Sequence, residues 1–152
     1  MPIDYFTDLD IIVNQALAED VGSGDITAAL IDESKTATAT VITRDNAIVC
    51  GKPWVDSVFD TVDPNTHLHW FSAEGDSVTP GTKLFEARGK TRSLLTAERT
   101  ALNFLQTLSG TATETHRLVK LISHTEATLL DTRKTLPGLR LAQKYAVHIG
   151  GG

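Results

Sequence analysis

The order of apolar and polar residues predicts a mixed helix and strand structure in the first part of the chain. Apolar residues recur at helical spacing between residues 8 and 19, which predicts a first helix. Two alternating or β-branched runs, TATATVITRD at 36–45 and NAIVCG at 46–51, predict strands joined by a turn. The same criteria predict a further helix and two further strands over residues 53–62, 67–72 and 83–89. Residues 1–90 therefore predict an α+β unit with antiparallel strand pairs.

Beyond residue 93 the apolar period becomes helical. Leucines and alanines form a broad apolar face up to Gly110, which is expected to interrupt the helix before a second one over residues 114–123. The short apolar run at 127–132 predicts a strand, and residues 139–147 predict a last helix. A strand, a polar loop and a helix are how a parallel α/β architecture begins. Because one strand cannot form a sheet, we expect its neighbours to come from elsewhere or from a longer chain.

Charge is distributed unevenly along a chain whose formal net charge is -5. Residues 1–90 carry 6 Lys and Arg against 15 Asp and Glu, whereas residues 91–152 carry 8 against 4. A basic second part predicts an anionic ligand for that part. Nucleic acid is disfavoured as a partner, because the basic residues form no dense stripe and are not interleaved with aromatic side chains.

Several functional classes lack their signatures in this sequence. No run of about 18 apolar residues predicts a membrane span, and the acidic start MPIDYFTDLD does not resemble a secretory signal. Cys50 is the only cysteine, which excludes an internal disulfide and a cysteine zinc site, and the 5 histidines show no metal-ligand spacing. Dinucleotide-binding, P-loop and serine-hydrolase motifs are absent. A cytoplasmic protein without a membrane or nucleic-acid partner is the simplest interpretation.

The polar run DTRKT supplies the first candidate binding residues, Thr132, Arg133 and Lys134. It follows the expected strand at the end where parallel α/β architectures bind their ligands. Arginine presents a planar fork suited to a carboxylate or phosphate, and lysine presents a compact charge. Arg140 and Lys144 lie one turn apart on the next helix and can share one face. The alternative is a solvated loop whose cations pair with the acidic first part.

Arg99 is the second candidate. It shares a polar stripe with Asn103 and Gln106 on the expected long helix, opposite much of the leucine face. The alternative is an exposed stripe in which Arg99 has only local charge partners, such as Glu98.

Three segments together resemble one family closely. They are EDVGSGDITAALI at 19–31, LLTAERTALNFLQTLSGTAT at 94–113 and LLDTRKTLPGLRLAQKYAVHIGGG at 129–152. The chain resembles the quinolinate phosphoribosyltransferases, also called carboxylating nicotinate-nucleotide pyrophosphorylases. The resemblance implies an α+β fold in two domains. An N-terminal α/β-hammerhead domain with its closing helix would occupy residues 1–110, and the first β/α unit of an incomplete, TIM-like α/β barrel would occupy residues 111–152.

The same resemblance implies a reaction and its participants. Quinolinate and phosphoribosyl pyrophosphate, the latter bound with Mg²⁺, would give nicotinate mononucleotide, pyrophosphate and CO₂ for NAD synthesis. The residues assigned to substrate binding are Arg99, Thr132, Arg133, Lys134, Arg140 and Lys144. Arg99 would reach quinolinate in the neighbouring subunit of a head-to-tail homodimer. Arg133 would bind a quinolinate carboxylate, and Lys134 would face the phosphoribosyl or pyrophosphate group.

Two other interpretations remain open: a same-fold phosphoribosyltransferase for another base, such as nicotinate, and a non-catalytic binding or assembly module. The NHR segment and the later acidic strands of the family do not occur in these 152 residues. The final glycines are therefore interpreted as part of a loop within a barrel, at which the sequence is cut. We expect this chain alone to make no nicotinate mononucleotide from the two substrates and Mg²⁺. Robust product in that assay would contradict the expectation.

Overall fold

The computed structural model describes residues 3–22, 24, 28 and 30–152. The helices and strands of this part are α1 (Leu9–Val21), β1 (Thr36–Ile42), β2 (Ala47–Ile48), α2 (Lys52–Val62), β3 (His67–Trp70), β4 (Ser77–Val78), β5 (Lys83–Lys90), α3 (Thr91–Ile122) and α4 (Arg140–Ile149). The elements expected up to residue 90 are all present, with ends that differ by about three residues or fewer. Residues 23, 25–27 and 29 of the segment at 19–31 lie outside the described residues.

Strand β5 is the centre of the main sheet. It pairs antiparallel with β1 on one side and with β3 on the other, so that Thr36 lies opposite Lys90 and Trp70 opposite Phe85. The two short strands β2 and β4 pair antiparallel in a separate sheet. The α+β character predicted for the first part, with antiparallel strand pairs, is confirmed.

The hydrophobic core lies where α2 and β5 pack against α3. The most deeply buried side chains of these three elements include Trp54, Val55, Val58, Phe85, Ala97, Ala101 and Leu108. Burial of each large apolar side chain contributes roughly 1.5–3 kcal/mol to folding. The leucine and alanine face predicted for the long helix is therefore the face that holds the first part of the chain together.

Helix α3 is one continuous helix of 32 residues, and the break expected at Gly110 is wrong. The apolar stripe continues past the glycine through Ala112 and Thr115, both buried, so packing outweighs the roughly 1 kcal/mol that glycine costs inside a helix. The residues expected to form a second helix are the end of α3. Among the described helices, none combines the length and apolar character needed to cross a membrane.

The strand expected over residues 127–132 is not present, since the backbone there forms no strand pairing. A strand is stable only when a neighbour accepts and donates its backbone hydrogen bonds. Of the strands in the described part of the chain, none pairs with this segment: β1 and β3 each pair with β5, and β2 pairs with β4. Residues 127–139 therefore form an irregular connection from α3 to α4, closed by a turn at Pro137 and Gly138.

Helix α4 docks on α3 through small side chains. Ala142 and Ala146 are fully buried, and the Gln143 side-chain amide donates a hydrogen bond to the Thr111 hydroxyl at 3.0 Å. At the end of α4, a Cβ added to Gly150 would lie 2.6 Å from both the Ala112 carbonyl oxygen and the Thr115 Cβ. The first glycine of the final run is therefore needed for this close approach of α4 to α3.

Two glycine substitutions on this pair of helices are expected to have opposite effects. Gly150→Ala should lower the free energy of unfolding by about 1–3 kcal/mol, because the new methyl group has no room. Gly110→Ala should raise it by about 0.5–1 kcal/mol, because the position is helical and the space around it is open. Urea titrations of both variants measure these changes. A stabilising Gly150→Ala would contradict the close docking of α4.

Candidate functional site

The connection from α3 to α4 exposes the residues of the DTRKT run. The Thr132 hydroxyl accepts a hydrogen bond from the Lys134 backbone N–H at 3.0 Å, which closes a tight turn around Arg133. The side chains of Thr132, Arg133 and Lys134 are all exposed. The turn therefore presents two cations and one hydroxyl to solvent next to each other.

Helix α4 directs two further cations back to this connection. The Lys144 ammonium lies 2.6 Å from Asp131 Oδ1, and the Arg140 guanidinium donates to the Arg133 carbonyl oxygen at 3.5 Å. Their spacing of four residues places both on one face of α4, as expected. Arg133 and Lys134 of the turn, together with Arg140 and Lys144 of the helix face that contacts it, are here called the cation cluster; of these, Lys144 pairs with Asp131.

Lys144 is held more firmly than the other members of the cation cluster. Its side chain is 18% exposed and that of its partner Asp131 is 30% exposed, so water screens the pair only partly. A small cavity of about 200 Å³ lies beside the pair and is lined by Tyr5, Leu130, Val147 and His148 in addition to the two charged residues. The sequence predicted Lys144 as a binding residue, but the carboxylate partner was not anticipated.

Arg99 lies apart from the cation cluster, on α3. Its guanidinium forms an ion pair with Asp20 at the end of α1, with 3.3 Å between Nε and Oδ1, and its side chain is 67% exposed. The partner is therefore a carboxylate of another helix rather than the neighbouring Glu98. The charge of Arg99 is available at the surface, and Asp20 restrains its direction.

A larger cavity opens between α1, α3 and the turn before α4. It has a volume of about 350 Å³ and is lined by Asp20, Asn103 and Gly138 among other residues. Asn103 belongs to the polar stripe of Arg99 that the sequence predicted. The same stripe contains Gln106, whose amide donates to the Asn103 side chain at 3.2 Å.

Glu74 was missed from the sequence, because nothing distinguishes it from any other acid in a loop. Its carboxylate lies at the N-terminal end of α2 and accepts hydrogen bonds from the backbone N–H groups of Gly51 at 2.6 Å and Lys52 at 3.1 Å. Burial and the nearby Glu74 carboxylate raise the pKa of the Cys50 thiol and of the Tyr145 phenol. Both groups are therefore protonated at neutral pH, and Cys50 is not poised as a nucleophile.

No group of three or more His, Cys, Asp or Glu side chains that could hold a metal ion occurs among the residues that the structure describes. The acid closest to the cation cluster, Asp131, is engaged by Lys144. The chemistry that the described arrangement supports best is binding of an anion by exposed guanidinium and ammonium groups.

Known proteins with similar sequences carry one activity in their names. The chain is 42% identical over 147 residues to the chloroplastic, carboxylating nicotinate-nucleotide pyrophosphorylase of Oryza sativa subsp. japonica, covering 95% of this chain and 39% of the rice protein. It is 37% identical over 143 residues to the probable carboxylating nicotinate-nucleotide pyrophosphorylase of Synechocystis sp., covering 94% of this chain and 48% of that protein. The chain therefore spans less than half the length of these curated relatives.

Solved structures match the fold over nearly the whole chain. The nicotinate-nucleotide pyrophosphorylase of Francisella tularensis is 48% identical with a TM-score of 0.93, covering 99% of this chain and 53% of that one. The structure titled NadC from Streptococcus pyogenes is 37% identical with a TM-score of 0.92, covering 100% of this chain and 54% of that one. The expected fold class is thereby confirmed.

Two family models together cover most of the sequence. The model described as the N-terminal domain of quinolinate phosphoribosyl transferase matches residues 25–109, and the model of its C-terminal domain matches residues 111–152. The change from one model to the other falls within α3, which is continuous across it. The chain belongs to the quinolinate phosphoribosyltransferase family.

Proposed function

We propose that this protein is a carboxylating nicotinate-nucleotide pyrophosphorylase that joins quinolinate to phosphoribosyl pyrophosphate. Its products would be nicotinate mononucleotide, pyrophosphate and CO₂, for NAD synthesis. The observation that carries the proposal is the cation cluster, in which Arg140 and Lys144 of α4 contact the segment that exposes Arg133 and Lys134. The family membership of the chain and the printed names of its relatives support the same reaction.

The charges of the two substrates explain why such a cluster is useful. Quinolinate is a dianion and phosphoribosyl pyrophosphate is a polyanion, so the two repel each other unless cations offset the charge. The exposed fork of Arg133 suits a quinolinate carboxylate in two-point contact, and Lys134 suits a phosphoryl oxygen. Thr132 adds a hydroxyl, and Arg140 and Lys144 strengthen the positive field around the turn.

The reaction requires no nucleophile from the protein. The quinolinate ring nitrogen attacks ribose C1 while the bond from C1 to the pyrophosphate oxygen breaks, and the electron pair of that bond leaves with the pyrophosphate. The adjacent carboxylate then departs as CO₂, its bonding electrons pass to the positive pyridinium ring, and a proton takes its place. Cations next to the leaving group stabilise the charge that develops there. This is the task we assign to Lys134 and its neighbours.

Mg²⁺ is proposed to enter the site as part of the co-substrate, bound to the phosphate oxygens of phosphoribosyl pyrophosphate. Such an ion would offset the charge on the leaving pyrophosphate, and Mg²⁺ is commonly held by substrate phosphates together with one or two carboxylates. Asp131, the carboxylate beside the cation cluster, is paired with Lys144, so we assign no ligand of the ion to this cluster.

Arg99 is proposed to act in the site of a neighbouring subunit within a homodimer. Two features support this role: the side chain is 67% exposed, and its ion pair joins it to α1 rather than to the cation cluster. A residue that completes a partner's site must project from the surface in a fixed direction, and Asp20 provides that restraint. The division into domains at residues 1–110 and 111–152 and the cytoplasmic location remain predictions.

Replacing Arg133 is expected to weaken quinolinate binding selectively. Arg133→Ala should raise the Kd for quinolinate, measured by calorimetry with pyrophosphate and Mg²⁺ present, by about tenfold or more, since a charge-assisted two-point contact is worth roughly 1.5–3 kcal/mol. Arg44→Ala is the matched control, because Arg44 is also exposed and lies in the turn between β1 and β2. It removes the same charge and should leave the Kd within about twofold.

Three outcomes of this titration would contradict parts of the proposal. Absence of quinolinate binding by the unaltered chain would contradict the function proposed for it, and equal effects of Arg133→Ala and Arg44→Ala would contradict the assigned contact. Nicotinate bound more tightly than quinolinate would favour the same-fold enzyme for another base.

Mixing the two variants tests the role of Arg99. An equal mixture of Arg99→Ala and Arg133→Ala chains should show about a quarter of the quinolinate-binding sites of the unaltered protein, because half of the dimers are mixed and each mixed dimer holds one intact site of two. No recovery would contradict the dimer role of Arg99.

A further inference from the structure

Residues 127–135 lack the backbone pairing that usually holds a segment in place. They form neither a helix nor a strand, so no ladder of backbone hydrogen bonds connects them to the rest of the fold. Within the described part of the chain, only two hydrogen bonds join this segment to another element, and both come from α4. The position of the DTRKT turn therefore depends on a small number of side-chain contacts.

The contact between Asp131 and Lys144 is the stronger of the two. The Lys144 ammonium donates a hydrogen bond to Asp131 Oδ1 at 2.6 Å, and both side chains are partly shielded from water. Arg140 donates to the Arg133 carbonyl oxygen at 3.5 Å, which is the outer limit of a hydrogen bond. Because Asp131 directly precedes the turn that Thr132 closes around Arg133, its carboxylate fixes the place where this turn begins.

Helix α4 is a firm support for this contact. Lys144 lies between Ala142 and Ala146, which are fully buried against α3, so the backbone that carries the ammonium has little freedom to move. The chain after α4 also lies close to the start of the segment, since a Cβ added to Gly152 would be 3.4 Å from the Leu129 carbonyl oxygen. The segment is thus held to α4 just before the exposed cations of the turn.

The negative charge of Asp131 by itself opposes binding of the ligands proposed for the site. Quinolinate is a dianion and phosphoribosyl pyrophosphate is a polyanion, so a carboxylate beside the cation cluster repels both. A favourable contribution from Asp131 must therefore come from the geometry that it imposes on the turn. The electrostatic effect and the positioning effect have opposite signs, so one substitution can distinguish them.

We infer that Asp131 is a positioning residue, which holds the DTRKT turn to α4 through Lys144 and thereby keeps Arg133 and Lys134 in one place relative to Arg140. The importance of this arrangement for quinolinate binding rests on the function proposed above. Asp131 itself does not contact the substrates. Its part is to order the turn before an anion arrives, so that less binding energy is spent on ordering it.

Removal of the Asp131 charge tests this inference by the direction of its effect. Asp131→Asn keeps the size of the side chain and should raise the Kd for quinolinate, measured by calorimetry with magnesium pyrophosphate present, by about fivefold. Loss of repulsion alone would instead lower the Kd. Asp45→Asn is the matched control, because Asp45 is an exposed acid in the turn between β1 and β2, and it should leave the Kd within about twofold.

A measurement without ligand separates this inference from the proposed function. The heteronuclear Overhauser effect of the Arg133 and Lys134 backbone amides reports fast motion of the turn, and it should fall in Asp131→Asn and in Lys144→Met but not in Asp45→Asn. If the unaltered chain binds no quinolinate, the proposed function fails while these values still decide the role of Asp131.

Two results would overturn the positioning role. One is a Kd for quinolinate that is unchanged or lower in Asp131→Asn, and the other is an Overhauser effect of the turn amides that stays the same when the pair is broken. If Asp131→Asn does not fold, Lys144→Met breaks the same pair from the side of α4, and its amide values give the decision.

Discussion

The close contact between α3 and α4 is the constraint on which the candidate site depends. Ala142 and Ala146 bury completely in the contact, and Gly150 approaches α3 where no larger residue fits. Small residues allow two helices to pack with little separation, and a packed interface has few alternative arrangements. Since Arg140 and Lys144 belong to the docked helix, this interface sets where their charges lie relative to the DTRKT turn.

Acidic side chains in this fold do more than offset charge. Asp131 holds Lys144, Asp20 restrains Arg99, and Glu74 caps α2. Two of these three acids, Asp20 and Glu74, belong to the strongly acidic first ninety residues. Part of the negative charge of that region therefore serves in specific contacts. The pair of Lys144 and Asp131 is only partly exposed, so water screens it less than a fully exposed surface pair. Lys144 is therefore held beside Asp131 before a ligand is bound.

Much of the fold could be predicted from the apolar pattern, because burial of one face imposes a period on the sequence. The antiparallel strands and the leucine face of α3 are of this kind. The continuity of α3 through Gly110 could not be predicted, because it depends on tertiary burial of Ala112 and Thr115 outweighing a local propensity. The prediction of a strand at 127–132 was wrong for a related reason, since a strand forms only beside a pairing partner, and the sequence of the segment does not show whether one is present.

The residues of the candidate site could be predicted from the sequence, but the contacts between them could not. Residue types and spacing indicated Arg133, Lys134, Arg140 and Lys144 as one basic group and Arg99 as a second candidate, and the resemblance to a family added a role for each. The contacts with Asp131 and Asp20 could not be foreseen, because ion pairs between residues 13 or more positions apart depend on the path of the chain. No sequence pattern indicated Glu74, since it caps the start of α2, which is more than twenty residues away in the sequence.

The central claim is that the cation cluster is assembled by contacts within the chain itself, without a ligand. A double-mutant cycle on Asp131 and Lys144, with Asp131→Asn, Lys144→Met and the double variant unfolded by urea in ligand-free buffer, measures the contact that joins the turn to α4. The account predicts a favourable coupling free energy of about 1 kcal/mol. A coupling indistinguishable from zero would contradict it, because α4 and the turn would then not be joined before an anion binds.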